Sequence, residues 1–145
     1  MIQRKQTIWL LLAAICSACL FFVDFYHAHV NVNGTDTITY LRVNDHYPSL
    51  LMVLVMAVLP FIDIFMYKNR KRQRALAIVS IVANAGFVSM MLSRVTNFNK
   101  TVPAPTDGTY WIGAILPLIS MLFLILAISG INKDEKLIKS LDRLR

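Results

Sequence analysis

Four long apolar runs divide this chain, and the polar positions fall between the runs rather than inside them. The runs cover residues 7–26, 47–67, 75–93 and 110–131. Each is about twenty residues long, the length a helix needs to cross ~30 Å of hydrocarbon. The pattern predicts an all-α integral membrane protein, a single domain over residues 1–145 with four transmembrane helices. Pro48 falls in the first turn of the second run, where proline is tolerated. Pro60 and Pro117 fall deeper in the second and fourth runs and predict kinks. Tyr47, Tyr67 and Trp111 stand at run ends, where aromatic rings suit the water–lipid boundary.

The first run follows Arg4 and Lys5, as in a signal peptide. It is longer than an ordinary signal core and ends in no A-x-A site. Cys16-Ser17-Ala18-Cys19 loosely resembles a lipid-attachment site, yet Leu20-Phe21-Phe22-Val23 carry the apolar run onward. A retained helix is the expectation.

The connecting segments differ from one another. Val30 to Leu41 alternates on both sides of Asn33-Gly34, which predicts a short β-like outer hairpin. Lys68 to Arg74 reads as a tight basic turn. Arg94 to Thr109, with Pro103, Pro105 and Gly108, reads as an extended outer loop. In the tail, residues 132–145, Leu137, Ile138, Leu141 and Leu144 form one helical stripe flanked by Lys136, Lys139, Asp142 and Arg143. An amphipathic tail of this kind either lies on the inner leaflet or docks against a cytoplasmic partner.

Charge fixes an orientation. Twelve of the fifteen Lys and Arg residues lie in the N-terminus, the 68–74 turn and the tail; Arg42, Arg94 and Lys100 are the other three. This positive-inside bias predicts both termini in the cytoplasm. The composition agrees with a membrane chain: 57% hydrophobic and 16% charged, against about 25% charged in soluble domains. With the net charge of +7 gathered at run ends, anionic lipid headgroups are the expected partner and nucleic acid is not.

Candidate chemistry inside the runs is sparse. Asp24 lies near the outer end of the first run, with Arg94 as its expected ion-pair partner. Asp63 lies in the inner half of the second, with Arg74 or Lys5 as expected partners. Asn84 lies at the middle of the third and needs a hydrogen bond within the bundle or to a partner helix. Buried polar groups of this kind serve as packing ties or as an ion path. Ala83, Gly86, Ser89 and Ser93 share one helix face, and Gly113, Ser120 and Ala127 recur every seven residues, spacings that let helices approach closely. His27, His29 and His46 lie in or beside the first outer segment without dense metal-ligand spacing. Cys16 and Cys19 have no cation nearby to stabilise a thiolate. Asn33-Gly34-Thr35 and Asn99-Lys100-Thr101 match glycosylation acceptors. No nucleophile–base pair or phosphate-binding glycine loop is present in the sequence, so neither enzyme nor cofactor is expected.

Three stretches carry a family resemblance: Met1-Ile2-Gln3-Arg4-Lys5-Gln6-Thr7, Tyr67-Lys68-Asn69-Arg70-Lys71, and Lys133 through Arg145. Together they resemble a Bacteroidetes family of small four-helix inner-membrane proteins catalogued as a domain of unknown function. The resemblance covers essentially the whole chain and implies a bacterial inner membrane. It implies no activity. The expectation from the whole sequence is a non-enzymatic accessory subunit of a larger inner-membrane assembly, in protein translocation or envelope biogenesis. Arg70, Lys71, Arg72, Arg74, Leu137, Ile138, Leu141 and Leu144 are its candidate contacts with a membrane-protein partner. The alternative is a small transporter or ion-conducting oligomer using Asp24, Asp63 and Asn84.

Overall fold

The computed structural model describes residues 5–32, 35–67, 69–101 and 105–142, with Val32 and residues 137–142 described by backbone alone. Along the chain run α1 (Lys5–Cys19), β1 (Tyr26–Val32), β2 (Thr35–Leu41), α2 (Tyr47–Phe65), α3 (Arg70–Phe98), β3 (Asp107–Tyr110) and α4 (Ile112–Asp142). Each of α1 and α3 packs against both α2 and α4, so the four helices form a closed ring. The basic segments meet at one end of this ring and the strands at the other.

The bundle turns its apolar side outward. Leu51, Phe65, Val82 and Leu122 are all more than 60% exposed. Among the described residues eight polar ones are buried within: Gln6, Ser17, Ser49, Asp63, Gln73, Ser80, Asn84 and Ser120. In water this arrangement would be costly; in lipid the apolar exterior is solvated and the polar groups turn inward. Helices α2, α3 and α4 are each long and apolar enough to cross a membrane, while α1, at 15 residues, is shorter.

The structure redraws the first run. The α-helix stops at Cys19, and residues through Phe22 tighten into turns in which Leu20, Phe21 and Phe22 each donate to a carbonyl three residues back. The cause is competition from the strands. The Phe25 amide donates to the Leu41 carbonyl, the Trp111 amide to the Phe25 carbonyl, and the Gly113 amide to the Asp24 carbonyl. Tyr26, placed by the sequence in the first span, is the first residue of β1 instead. Leu20 and Phe25 plug the strand end of the core, together with Val53, Met56, Phe87 and Met91.

The fold is correspondingly not all-α. The expected hairpin strands are present as β1 and β2, paired antiparallel with Tyr26 opposite Leu41 and His29 opposite Ile38. The Asn33–Gly34 turn itself lies outside the described residues. A third strand, β3, joins from the segment expected to be an extended loop, with Tyr26 opposite Tyr110 and His29 opposite Asp107. The order β2-β1-β3 stitches the connections at this end of the ring into one sheet.

Other boundaries move as well: α3 runs on to Phe98 instead of ending at residue 93, so the loop expected from Arg94 begins as helix. Helix α3 begins at Arg70, not at residue 75, because the Asn69 side chain caps it by accepting from the Arg72 amide at 3.3 Å. The basic turn thus becomes the first turns of a helix, and Lys68 lies outside the described residues. Helix α4 runs through the expected tail boundary to Asp142 without a break.

Candidate interaction site at the basic end

Asn69 starts α3 so that Arg70 and Arg74, four residues apart, share one helix face. That face meets α4. Arg70 Nη1 lies 3.4 Å from Asp134 Oδ2. Arg74 Nη1 donates to Asn132 Oδ1 at 3.1 Å and to Glu135 Oε2 at 3.4 Å. A cavity of about 280 Å³ opens here, lined by Arg74, Asn132, Glu135 and Lys136. Lys71 and Arg72 point away from this seam and are exposed. The four basic residues singled out from the sequence therefore divide into two that hold the α4 extension and two that face outward. The expected stripe on that extension falls at Leu137, Ile138 and Leu141, whose side chains lie outside the described residues, as does Leu144.

Beneath the seam, Asp63 is fully buried, and among the described residues neither carboxylate oxygen has a hydrogen-bond partner. The partners expected for it are engaged or exposed. Arg74 bonds to α4, and Lys5 is exposed. Gln73 Nε2 donates to the Asp63 backbone carbonyl at 3.3 Å. Gln6 is buried against Gly130 of α4, where a Cβ would stand 3.2 Å from its own. Sequence reasoning missed Gln6 and Gln73, since each sits among basic residues that read as solvated flank. The signal was the helical phase, because Gln6 precedes Leu10 and Ala13 by one and two turns, and Gln73 likewise precedes Ala77 and Ser80.

Higher in the bundle, Asn84 is fully buried, and its Nδ2 donates back to the Ser80 carbonyl at 2.8 Å. The Ser17 and Ser120 hydroxyls meet at 3.1 Å and tie α1 to α4. Gly113, Ser120 and Ala127 are all buried, so the small-residue face of α4 is used inside the bundle. On α3 Gly86 packs on Met52, whereas Ser89 and Ser93 are exposed.

At the strand end Asp24 lies beyond α1, and its partner is not Arg94. Arg42 Nε bonds Asp24 Oδ1, and His27 Nε2 lies 3.3 Å from Oδ2. Partial burial pushes the Asp24 carboxyl up, but the hydrogen bonds and charges of Arg42 and His27 outweigh it and hold the group below the usual carboxylate range. Arg94 instead donates to the Arg42 carbonyl at 2.9 Å and to Ser49 Oγ at 3.3 Å, with its guanidinium 5.3 Å from the Phe25 ring centre. The histidines are dispersed. His27 stacks on Trp111, and His46 Nδ1 pairs with Ser49 Oγ at 2.9 Å. Among the described residues no three His, Cys, Asp or Glu side chains gather as a metal site.

These features define a mostly helical protein with three helices able to cross a membrane, closed at one end by a three-stranded sheet. The chain belongs to the family described as Domain of unknown function (DUF4293), which it matches over residues 2–144. Among curated proteins, none matches it.

Proposed function

We propose that this protein is a non-enzymatic accessory subunit of a larger assembly in the inner membrane of a bacterium of the Bacteroidetes. In this reading α1 is a fourth span, both termini are cytoplasmic, and the sheet faces the opposite side. The charge distribution and the packing of α1 into the ring support that orientation.

One observation carries the reading: α4 is a single helix of 31 residues. At the helical rise it is roughly 46 Å long, well beyond the ~30 Å of a hydrocarbon core. A tail continuous with a spanning helix projects from the membrane rather than lying flat on it, which favours docking over surface association. The seam to Arg70 and Arg74 stiffens the projection at its root. The partner is a cytoplasmic or membrane-embedded protein of the assembly, and protein translocation or envelope biogenesis is the setting we favour.

The test is crosslinking followed by detergent purification of the full chain, beside a Leu137→Asp/Leu141→Asp variant. A stoichiometric partner lost in the variant is the expected result. A wild-type chain that purifies alone refutes the reading.

Transport or ion conduction through Asp24, Asp63 and Asn84 is the rival, and the unpartnered oxygens of Asp63 and Asn84 favour it. Against it, Val53, Met56, Phe87 and Met91 pack between Asn84 and the strand end where Asp24 lies. Reconstituted vesicles carrying Asp63→Asn decide the matter: transport by wild type that disappears in the variant would establish the rival.

A further inference from the structure

The buried polar side-chain atoms that lack a hydrogen bond among the described residues are, with one exception, oxygens. They are Gln6 Oε1, both carboxylate oxygens of Asp63, Gln73 Oε1 and Asn84 Oδ1. The one nitrogen, Arg70 Nη1, faces Asp134. A set of acceptors without donors is costly in a low-dielectric interior, because each leaves water without compensation.

Four of these oxygens belong to one layer at the basic end. Gln73 and Asp63 are joined through the Asp63 carbonyl. Because that bond uses the Gln73 amide nitrogen, its oxygen is the atom left over. Gln6 packs on Gly130, less than one turn from Asn132, and Asn132 accepts from Arg74, the neighbour of Gln73. All three side chains are at most 2% exposed. Asp63 also sits in the last turn of α2, which ends at Phe65. The C-terminal end of a helix carries partial negative charge, so an anionic group is disfavoured there and a cation favoured. Among the described residues the cations at this end are committed elsewhere or exposed: Arg70 faces Asp134, Arg74 bonds Asn132 and Glu135, and Lys5, Lys71, Arg72, Lys133 and Lys136 are exposed.

We propose that this layer binds one monovalent alkali cation, with Asp63 supplying the charge and the Gln6 and Gln73 amide oxygens supplying neutral ligands. Carboxylate and amide oxygens are hard donors suited to such ions. One carboxylate matches one positive charge, whereas a divalent ion would leave net charge in the interior. Leu10, Ala13, Leu124 and Ala127 pack on the strand side of the layer, so the ion enters and leaves from the basic end. Binding of this kind is independent of the subunit reading and stands or falls separately.

The experiment is equilibrium binding of radioactive sodium, and of rubidium as a potassium mimic, to the purified full chain in detergent. Choline replaces the alkali ion at constant ionic strength. The expected result is one saturable site per chain for at least one ion. Asp63→Asn should abolish it, while Gln6→Leu and Gln73→Leu should each weaken affinity tenfold or more. Size exclusion and the unfolding midpoint in choline show whether each variant is folded. No saturable binding of either ion to wild type overturns the proposal, as does unaltered binding in a folded Asp63→Asn chain. Should Asp63→Asn fail to fold, unchanged affinity in both glutamine variants overturns it.

Discussion

Arg42, just past the end of β2, bonds through Nε to the carboxylate of Asp24, in the segment that leaves α1. The bond fastens the sheet to the helix ring from outside the membrane core. Asp24 has its carboxyl held below the usual carboxylate range. A depressed folded-state value means that the stabilisation is complete above the unfolded value, about 3.9, and is lost as pH falls through the lower folded one. Carboxyl-carbon NMR of Asp24 should accordingly give a midpoint below that of a free aspartate. In Arg42→Gln the midpoint should rise toward the free value. An unmoved midpoint would show that Arg42 does not hold the group.

Gly113 is the second fastening. A Cβ there would stand 2.5 Å from the Asp24 carbonyl oxygen and 2.9 Å from its carbon, both backbone atoms that cannot swing aside. Gly113→Ala should therefore destabilise the chain by roughly 1–3 kcal/mol and expose the Trp111 amide to hydrogen exchange. Gly86→Ala is the control, because its Cβ would meet the far end of the flexible Met52 side chain. It should change stability by less, in the same denaturation series.

The Ser17–Ser120 pair makes a third prediction. Interhelical hydrogen bonds in membranes are worth about 0.6 kcal/mol on average. Ser17→Ala and Ser120→Ala should each cost about that much, and the double variant should cost less than the two together. Unfolding in mixed micelles measures the cycle. Full additivity would mean that the two hydroxyls do not act on one another.

Orientation has a direct test. With Cys16 and Cys19 replaced by alanine, single cysteines at Lys5, Lys71 or Lys136 should react with an impermeant thiol reagent from one side of the membrane. A cysteine at Thr37, on exposed β2, should react from the other. Labelling of position 5 from the same side as position 37 would remove α1 from the set of spans.

The helices were legible because apolar length is a physical requirement of the bilayer, which acts on each segment separately. The sheet was only partly legible. Alternation around residues 33 and 34 revealed β1 and β2, but β3 is a four-residue strand, Asp107–Tyr110, with no alternation of its own, and it exists because β1 offers it a partner. The same pairing ended α1 early, so hydropathy alone overran the helix by several residues. The ion partners of Asp24 and Asp63 were misassigned for one reason. Sequence places charges at a depth but not on a helix face, and Arg94 and Arg74 turned toward Ser49 and Asn132 instead. The buried layer was half visible, since Asp63 stood out as an acid in an apolar run while Gln6 and Gln73 were concealed by the basic residues around them.

The early end of α1 bears on the lipid around it. Its α-helix ends at Cys19, and tighter turns carry the chain through Phe22 to the strand end. On the four-span reading the bilayer meets, at that corner of the ring, turns in place of a continuous α-helix. Acyl chains there must shorten or tilt to avoid leaving polar backbone in hydrocarbon, at a fraction of a kcal/mol for each ångström of mismatch. The protein would thus carry a built-in dimple, a local thinning of the membrane beside Phe22, which is 88% exposed.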